Sequence, residues 1–402
     1  MNSPNVWQLL AVIAVLWVAI GLRFSPKLRG YQFTAWIMAA VVTAMIFPQW
    51  FSKWGSFDLQ GKWLKLLVVQ TVMFGMGTQM SLHDFAGVVK NPRGVFVGIV
   101  CHFSVMPLIG FALTKIFHFE PEIAAGIILI GSCSSGLASN VMAYIAKSNL
   151  ALSVTVTAMT TVVAPFVTPL WVKWLAGADV PMSYFAMMME IIKIVIVPIG
   201  AALLHDYLKN ATPRGRNVVA LFTAGSAVWL GFIAGGGWAW LQARLGANGL
   251  VCASVFGFFC AAVVAGVVYH WLTRVLPRLD SWMPVASMAG IVYFTTVTTA
   301  AGRDNLMKVG LLLFFASVIH NALGYVFGYW LSRASGLDKN SARSVAFEVG
   351  LQNGAMASGL AATMGKLGTI GLAAAIFSPW MNVSGSVLAN WWRKRPVEKV
   401  DG

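Results

Sequence analysis

Long apolar stretches follow one another along this chain with only short polar breaks between them. Crossing a bilayer's hydrocarbon core takes about 20 helical residues. Stretches of that order fall at 5–22, 31–49, 63–81, 94–117, 122–146, 149–177, 183–205, 217–241, 248–271, 283–301, 306–332, 341–364 and 367–391. The pattern predicts thirteen membrane-spanning helices, joined by loops too short for any extramembrane domain. Two of the thirteen are unlike the rest. The span over 122–146 contains Gly131-Ser132-Cys133-Ser134-Ser135-Gly136-Leu137-Ala138-Ser139-Asn140, and that over 341–364 contains Glu348-Val349-Gly350-Leu351-Gln352-Asn353-Gly354. Glycine costs about 1 kcal/mol in a helix interior, and small polar side chains compete with the backbone ladder. Both spans are expected to unwind at membrane depth, which is tolerated only against protein or a water-filled cavity.

Interrupted spans at comparable positions in two halves of a chain point to the midplane site of a secondary transporter. There, freed carbonyls can hold sodium and half-helix N-termini can face an anion. Close packing through Gly and Ser would also account for the glycines. It does not account for Asn140, Glu348, Gln352 and Asn353 together. Glu348 matters most, because a carboxylate at bilayer depth costs roughly 2.5–3.5 kcal/mol and so needs a partner. The nearest fixed cation in sequence, Arg343, sits five residues away, near the helix end. A mobile cation is the expected partner.

Composition agrees with a polytopic membrane protein: 58% of residues are hydrophobic and only 10% charged. The net charge of +15 could suggest nucleic acid, but the cations sit singly or in threes between apolar spans, as an orientation signal does. Alternate loops on one side carry 18 of the 28 Lys and Arg, among them Lys27, Arg29, Arg214, Arg216 and the tail Arg393, Lys394, Arg395 and Lys399. The other side carries 9, among them Lys62, Lys65, Arg244 and Lys366, and Lys193 falls within a span. This bias predicts a cytoplasmic C-terminus and an outside, periplasmic N-terminus in the cell inner membrane. Val6 to Ile20 lacks a basic flank and a cleavage site, so it reads as a retained first span. Cys101, Cys133, Cys252 and Cys260 lie in apolar runs and suggest reduced thiols.

At the interrupted spans the chain resembles the bile acid:sodium symporter (BASS) family of organic-anion transporters. Gly136 to Thr157 is similar to that family's fourth core helix and the start of its fifth, and Glu348 to Asn353 to its ninth. Further similarity lies at Met73-Phe74-Gly75-Met76-Gly77, Met106-Pro107, His320-Asn321-Ala322-Leu323-Gly324-Tyr325 and Phe377 to Ser386, in order along the chain. The resemblance implies an all-α membrane fold with an inverted-repeat ten-helix core. It would comprise a panel domain and a core domain with two broken, crossing helices. It also implies a bacterial member with three additional transmembrane helices. Residues 1–30 would hold an extra N-terminal helix, 31–209 the first repeat and sixth core helix, 210–280 an inserted pair, 281–392 the rest of the second repeat, and 393–402 a basic tail. The inserted pair is expected to face lipid or an oligomer contact.

Carried over by motif, a first sodium site would use Ser139, Asn140, Ser153, Thr157 and Glu348. Ser153 and Thr157, spaced i, i+4, share a helical face, and hard oxygen ligands suit a hard cation. Either hydroxyl could instead bond back to its own helix. A second site would use Glu348, the carbonyls of Val349 and Leu351, and Gln352. His102 stands where the family usually places a glutamine. It could pair with Gln352, and it would make this site pH-sensitive or replace its ion with a proton. The substrate residues implied are Leu137, Asn353, Gly354, Met381 and Asn382. Leu137 and Met381 replace polar residues of the bile-acid-binding members, so the pocket is expected to be more apolar. Glu190 and Lys193, spaced i, i+3, are expected to neutralise each other.

The expected function is sodium-coupled import of a small organic anion by alternating access, with one or two sodium ions and no organic cofactor. The partners are substrate and membrane lipid, not nucleic acid, and the protein is a monomer or homo-oligomer. A fold-related metalloid or organic-anion exporter, supported by Cys133 as a soft ligand, and a proton-coupled carrier are alternatives. An intramembrane enzyme lacks its motifs: there is no His-Glu-x-x-His and no pair of carboxylates at membrane depth.

Overall fold

The computed structural model describes residues 5–24, 32–177, 180, 183–395 and 397; Lys27, Arg29, Lys399 and most of the predicted tail lie outside these. The described chain is almost wholly helical. In order, α1 spans Val6–Gly21, α2 Gln32–Ile46, α3 Lys62–Gly77, α4 Leu82–Lys90, α5 Pro92–Ile116, α6 Pro121–Ser132, α7 Ala138–Ile145 and α8 Leu150–Ala176. Then come α9 Tyr184–Lys209, α10 Pro213–Gln242, α11 Ala247–Val275, α12 Leu279–Ala301, α13 Arg303–Ala334, α14 Lys339–Gly350, α15 Gly354–Thr363 and α16 Gly371–Arg393. Eight of these are long and apolar enough to cross a membrane unaided. With the shorter α1, α2 and α3 and the half-helix pairs α6/α7 and α14/α15, each of the thirteen predicted spans has a helical counterpart.

Two features were not anticipated. A small hairpin, β1 Lys53–Trp54 with β2 Phe57–Asp58, joins α2 to α3. The short helix α4 follows α3, started by Ser81, whose hydroxyl accepts from His83 N while Asp84 accepts from Ser81 N. That reciprocal cap is legible in Ser81-Leu82-His83-Asp84 but was hidden by the apolar run before it.

The helices sort into two bodies by their packing. One is a row in which neighbours follow the order α1, α2, α12, α3, α9, α11, α10. The other gathers α5 to α8 and α13 to α16 around the two interrupted spans, and it holds most of the buried apolar side chains. They meet chiefly where α8 packs on α9 and α15 on α3, with a smaller contact of α16 on α12. The helices beyond the ten-helix set thus sit at the two ends of the row, α1 against α2 and the pair α10–α11 against α9. Charged groups tie loops at the body surfaces, including Lys366 with Glu122 and, within α9, Lys193 with Glu190.

The interruptions are real and meet each other. α6 stops at Ser132 and α14 at Gly350, and the loops that follow cross as a minimal antiparallel ladder. Gly136 N donates to Leu351 O at 2.9 Å and Asn353 N to Ser134 O at 2.8 Å. Away from water, freed carbonyls must find partners, and side chains supply several of them. Thr168 Oγ1 donates to Ser132 O at 2.6 Å, Gln352 Nε2 to Val349 O at 2.7 Å and Asn321 Nδ2 to Gly350 O at 2.8 Å. His102 lies between two more, its Nδ1 2.9 Å from Glu348 O and its Nε2 2.8 Å from Cys133 O, and a neutral ring donates to one of them. The second half-helix α15 is capped by Asn353, whose Oδ1 accepts from Met356 N at 3.0 Å.

Candidate functional site

Glu348 is fully buried on the last turn of α14. Its carboxylate accepts from Ser153 Oγ at 2.5 Å and Thr157 Oγ1 at 2.8 Å, both on α8. The same hydroxyls lie 3.0 and 3.1 Å from Asn140 Oδ1 on α7, and Ser139 Oγ lies 3.2 Å from Thr157 Oγ1. The structure therefore brings Ser139, Asn140, Ser153, Thr157 and Glu348 into one all-oxygen cluster, drawn from three helices. No Lys, Arg or His forms a salt bridge with Glu348 among the described residues. Arg343 is turned away, donating to Arg395 O at 2.9 Å with its guanidinium 5.5 Å from the Trp392 ring centre. A buried carboxyl group is thus surrounded by neutral oxygens, an arrangement that favours a cation at its centre when it is ionised. Ser135, which sequence reasoning did not single out, joins the edge of the cluster 3.3 Å from Ser139 Oγ.

The residues expected at a second ion site are arranged differently. The carbonyls of Val349 and Leu351 are already engaged at the crossing, and His102 is not bonded to Gln352 because its ring bridges the carbonyls of Glu348 and Cys133. Both ring nitrogens face carbonyl acceptors, and a neutral imidazole donates to one of them, so the ring sits between the two broken helices with one hydrogen bond. Gln352 Oε1 is buried without a hydrogen-bond partner, an unmet acceptor of the kind a cation would satisfy.

Beside the crossing, a cavity of about 340 Å³ opens between the two bodies. Leu137, Asn353, Gly354, Met381 and Asn382 all line it, so the predicted substrate residues do converge. The row supplies the opposite wall through Val72, Met76, Gln79, Ser287 and Ile291, none of which sequence reasoning placed at the site, although Met76 lay in a quoted motif. Gln79 and Ser287, polar residues in apolar spans, were the available signal. The lining includes no Lys or Arg, but it includes the first residues of both α7 and α15. Two half-helix N-termini present backbone N–H groups to one apolar-walled space, which suits an anion carried on an apolar body. Asn353 is also used structurally as the α15 cap, and Asn382 Nδ2 donates to Ser378 O at 2.8 Å.

Comparison with known proteins gives this geometry a context. Residues 66–236 match the Sodium Bile acid symporter family. The chain is 31% identical over 382 residues to the uncharacterized sodium-dependent transporter YocS of Bacillus subtilis, covering 95% of this chain and 97% of that protein. It is 26% identical to the probable chloroplastic sodium/metabolite cotransporter BASS1 of Arabidopsis thaliana, over 94% of this chain and 77% of the other. Identity to the human ileal sodium/bile acid cotransporter is 25%, over 71% of this chain and 65% of that one. In fold, the structure is similar to the sodium proton antiporter MjNhaP1 from Methanocaldococcus jannaschii, with a TM-score of 0.55 and 11% identity over 96% of this chain and 99% of the other. So little of the chain falls outside that superposition that the α10–α11 pair must lie largely within it. A multi-pass helical protein with a buried carboxylate at crossed half-helices, similar along nearly its whole length to a sodium-dependent transporter, belongs to the sodium bile acid symporter family, a family of transporters and not of enzymes.

Proposed function

We propose that the protein is a sodium-coupled symporter of the inner membrane that imports a small organic anion by alternating access. The observation that carries this reading is Glu348, a buried carboxylate ringed by Ser139, Asn140, Ser153 and Thr157 with no cationic side chain beside it. Sodium binds there, and its charge allows the neighbouring cavity to take an anion whose head group lies at the N-termini of α7 and α15. A second ion would use Gln352 Oε1. Two sodium ions with a monovalent carboxylate carry one net charge, driven by about 2.3 kcal/mol per 100 mV; one ion makes the cycle electroneutral. The core body moves against the row, with the panel helices α2, α3, α9 and α12 as its partner and α1, α10 and α11 as additions to that row. The test is equilibrium binding of radioactive sodium to purified protein in potassium buffer. No saturable binding, or binding unchanged in Glu348→Ala, would overturn the reading.

Thr157→Val keeps the shape of the side chain but removes one hydroxyl from both Glu348 and the ion. Loss of a hydrogen bond to a charged group is worth about 1.5–3 kcal/mol. Sodium affinity is expected to fall by about one to two orders of magnitude, read as the shift in half-saturating sodium for binding. Cys133 is buried. Sodium-dependent uptake is expected to survive Cys133→Ala; its loss, together with sodium-independent metalloid export by the parent, would favour the exporter.

A further inference from the structure

A second cavity, of about 440 Å³, lies on the same seam between the bodies but beyond the crossing from the first. α3 and α15 line both spaces. On α3, Val72 and Met76 face the first, with Gln79 just beyond the helix end, while Lys62, Lys65 and Val69 face the second. On α15, Gly354 and Ala355 face the first, and Gly359 and Thr363 the second. At 1.5 Å per residue the ends of α15 are about 13 Å apart. Between the two spaces the seam is shut where Gly359 meets Val69, so closely that a Cβ on Gly359 would lie 2.6 Å from Val69 Cγ2.

The second cavity has its own chemistry. Three lysines, Lys62, Lys65 and Lys193, line it against a single carboxylate, Glu190, which Lys193 already pairs. Among the described residues neither Lys62 nor Lys65 has an acidic partner. The far wall is apolar and comes from the helix pair beyond the ten-helix set: Trp238 follows α10's bulge and Phe258 sits on α11, with Lys193 Nζ 5.7 Å from the Phe258 ring centre. Both π-helical interruptions described in this chain flank the space. One, Ile192–Ile196, carries Lys193 and has that residue's carbonyl bonded by Gln70 Nε2 at 2.8 Å. The other, Ile233–Gly237, contains Gly236 at φ 97° and ends just before Trp238. Such bulges interrupt the ladder at a cost and recur at functional positions.

We infer that this cavity is a separate binding site for an organic anion with an apolar body, built jointly by the lysine-bearing end of α3 and the α10–α11 pair. Unpaired lysines at the mouth of an apolar-walled cleft concentrate anions there, and the aromatic wall receives the body. Resting on the symport reading, the site is the station a substrate occupies on the far side of the Gly359–Val69 contact, and it gives the additional pair a role in ligand handling.

The test uses the full chain in nanodiscs with Cys252, the one exposed cysteine among the described residues, changed to Ser, and Ser254→Cys placed in the cavity wall. The rate of modification by 2-sulfonatoethyl methanethiosulfonate is measured with 4-phenylbutanoate, 4-phenylbutanol or 4-phenylbutylamine present. The carboxylate is expected to slow labelling about fivefold at four times its Kd, the alcohol and amine little. Lys62→Gln with Lys65→Gln is expected to reduce the carboxylate's protection to that of the alcohol. Equal protection by all three compounds, or full protection in the double variant, would overturn the proposal. Sodium binding measured on the same preparations separates the two readings. Protection without sodium binding would leave this site standing and end the symport reading, while sodium binding without charge-selective protection would do the reverse.

Discussion

Glu348→Ala is expected to abolish saturable sodium binding and sodium-driven uptake together. Removing one partner of a buried, hydrogen-bonded charge pair costs about 3–5 kcal/mol, which is about two to three and a half orders of magnitude in affinity. Glu348→Gln separates the charge from the shape. With the neutral amide in place, Ser153 and Thr157 keep a hydrogen-bond partner, and the fold is retained. In sodium-free buffer this variant is expected to melt above the parent, because the parent must then either bury a negative charge or take up a proton. Adding sodium should raise the parent's melting temperature and leave the variant's unchanged, as ligand linkage requires. A parent protein indifferent to sodium would sink the argument.

The second large effect is expected at His102. Its two ring nitrogens face the carbonyl oxygens of Cys133 and Glu348, one from each interrupted span, and a neutral imidazole donates to one of them. His102→Leu leaves that oxygen without a partner in the apolar interior. At about 1–3 kcal/mol for an orphaned group, the loss is about 1–3 kcal/mol of stability, read in thermal unfolding in detergent. The sodium-induced rise should shrink as well, since the crossing beside Glu348 loses an anchor. His102→Gln restores a donor and is expected to fall between leucine and the parent. If His102→Leu unfolds like the parent, the ring is not holding the crossing together.

The periodicity of the chain made the thirteen spans and their two weak points readable, because a membrane forces length and apolarity on every crossing. The meeting of oxygens around Glu348 was equally legible. Glu348 is costly, and Ser153 and Thr157 share a helical face. The reading failed where contacts depend on which helices become neighbours. Nothing local in Val72, Met76 or Ile291 marks them as one wall of the cavity, since the same residues would serve against lipid. His102 illustrates the limit differently: its position by motif suggested Gln352, but the unwound backbone offered two nearer acceptors. Ser135 was passed over because a serine in a broken helix has many uses, and only the crossing turned it toward Ser139.

The mutual capping of the crossed loops has a mechanical corollary. Ser134, Gly136, Leu351 and Asn353 hold one another through backbone bonds, so parting them would strand donors and acceptors in hydrocarbon. On the proposed cycle the ion and the anion would therefore travel as cargo in a stiff cassette, with sliding left to seams such as the one where Gly359 meets Val69.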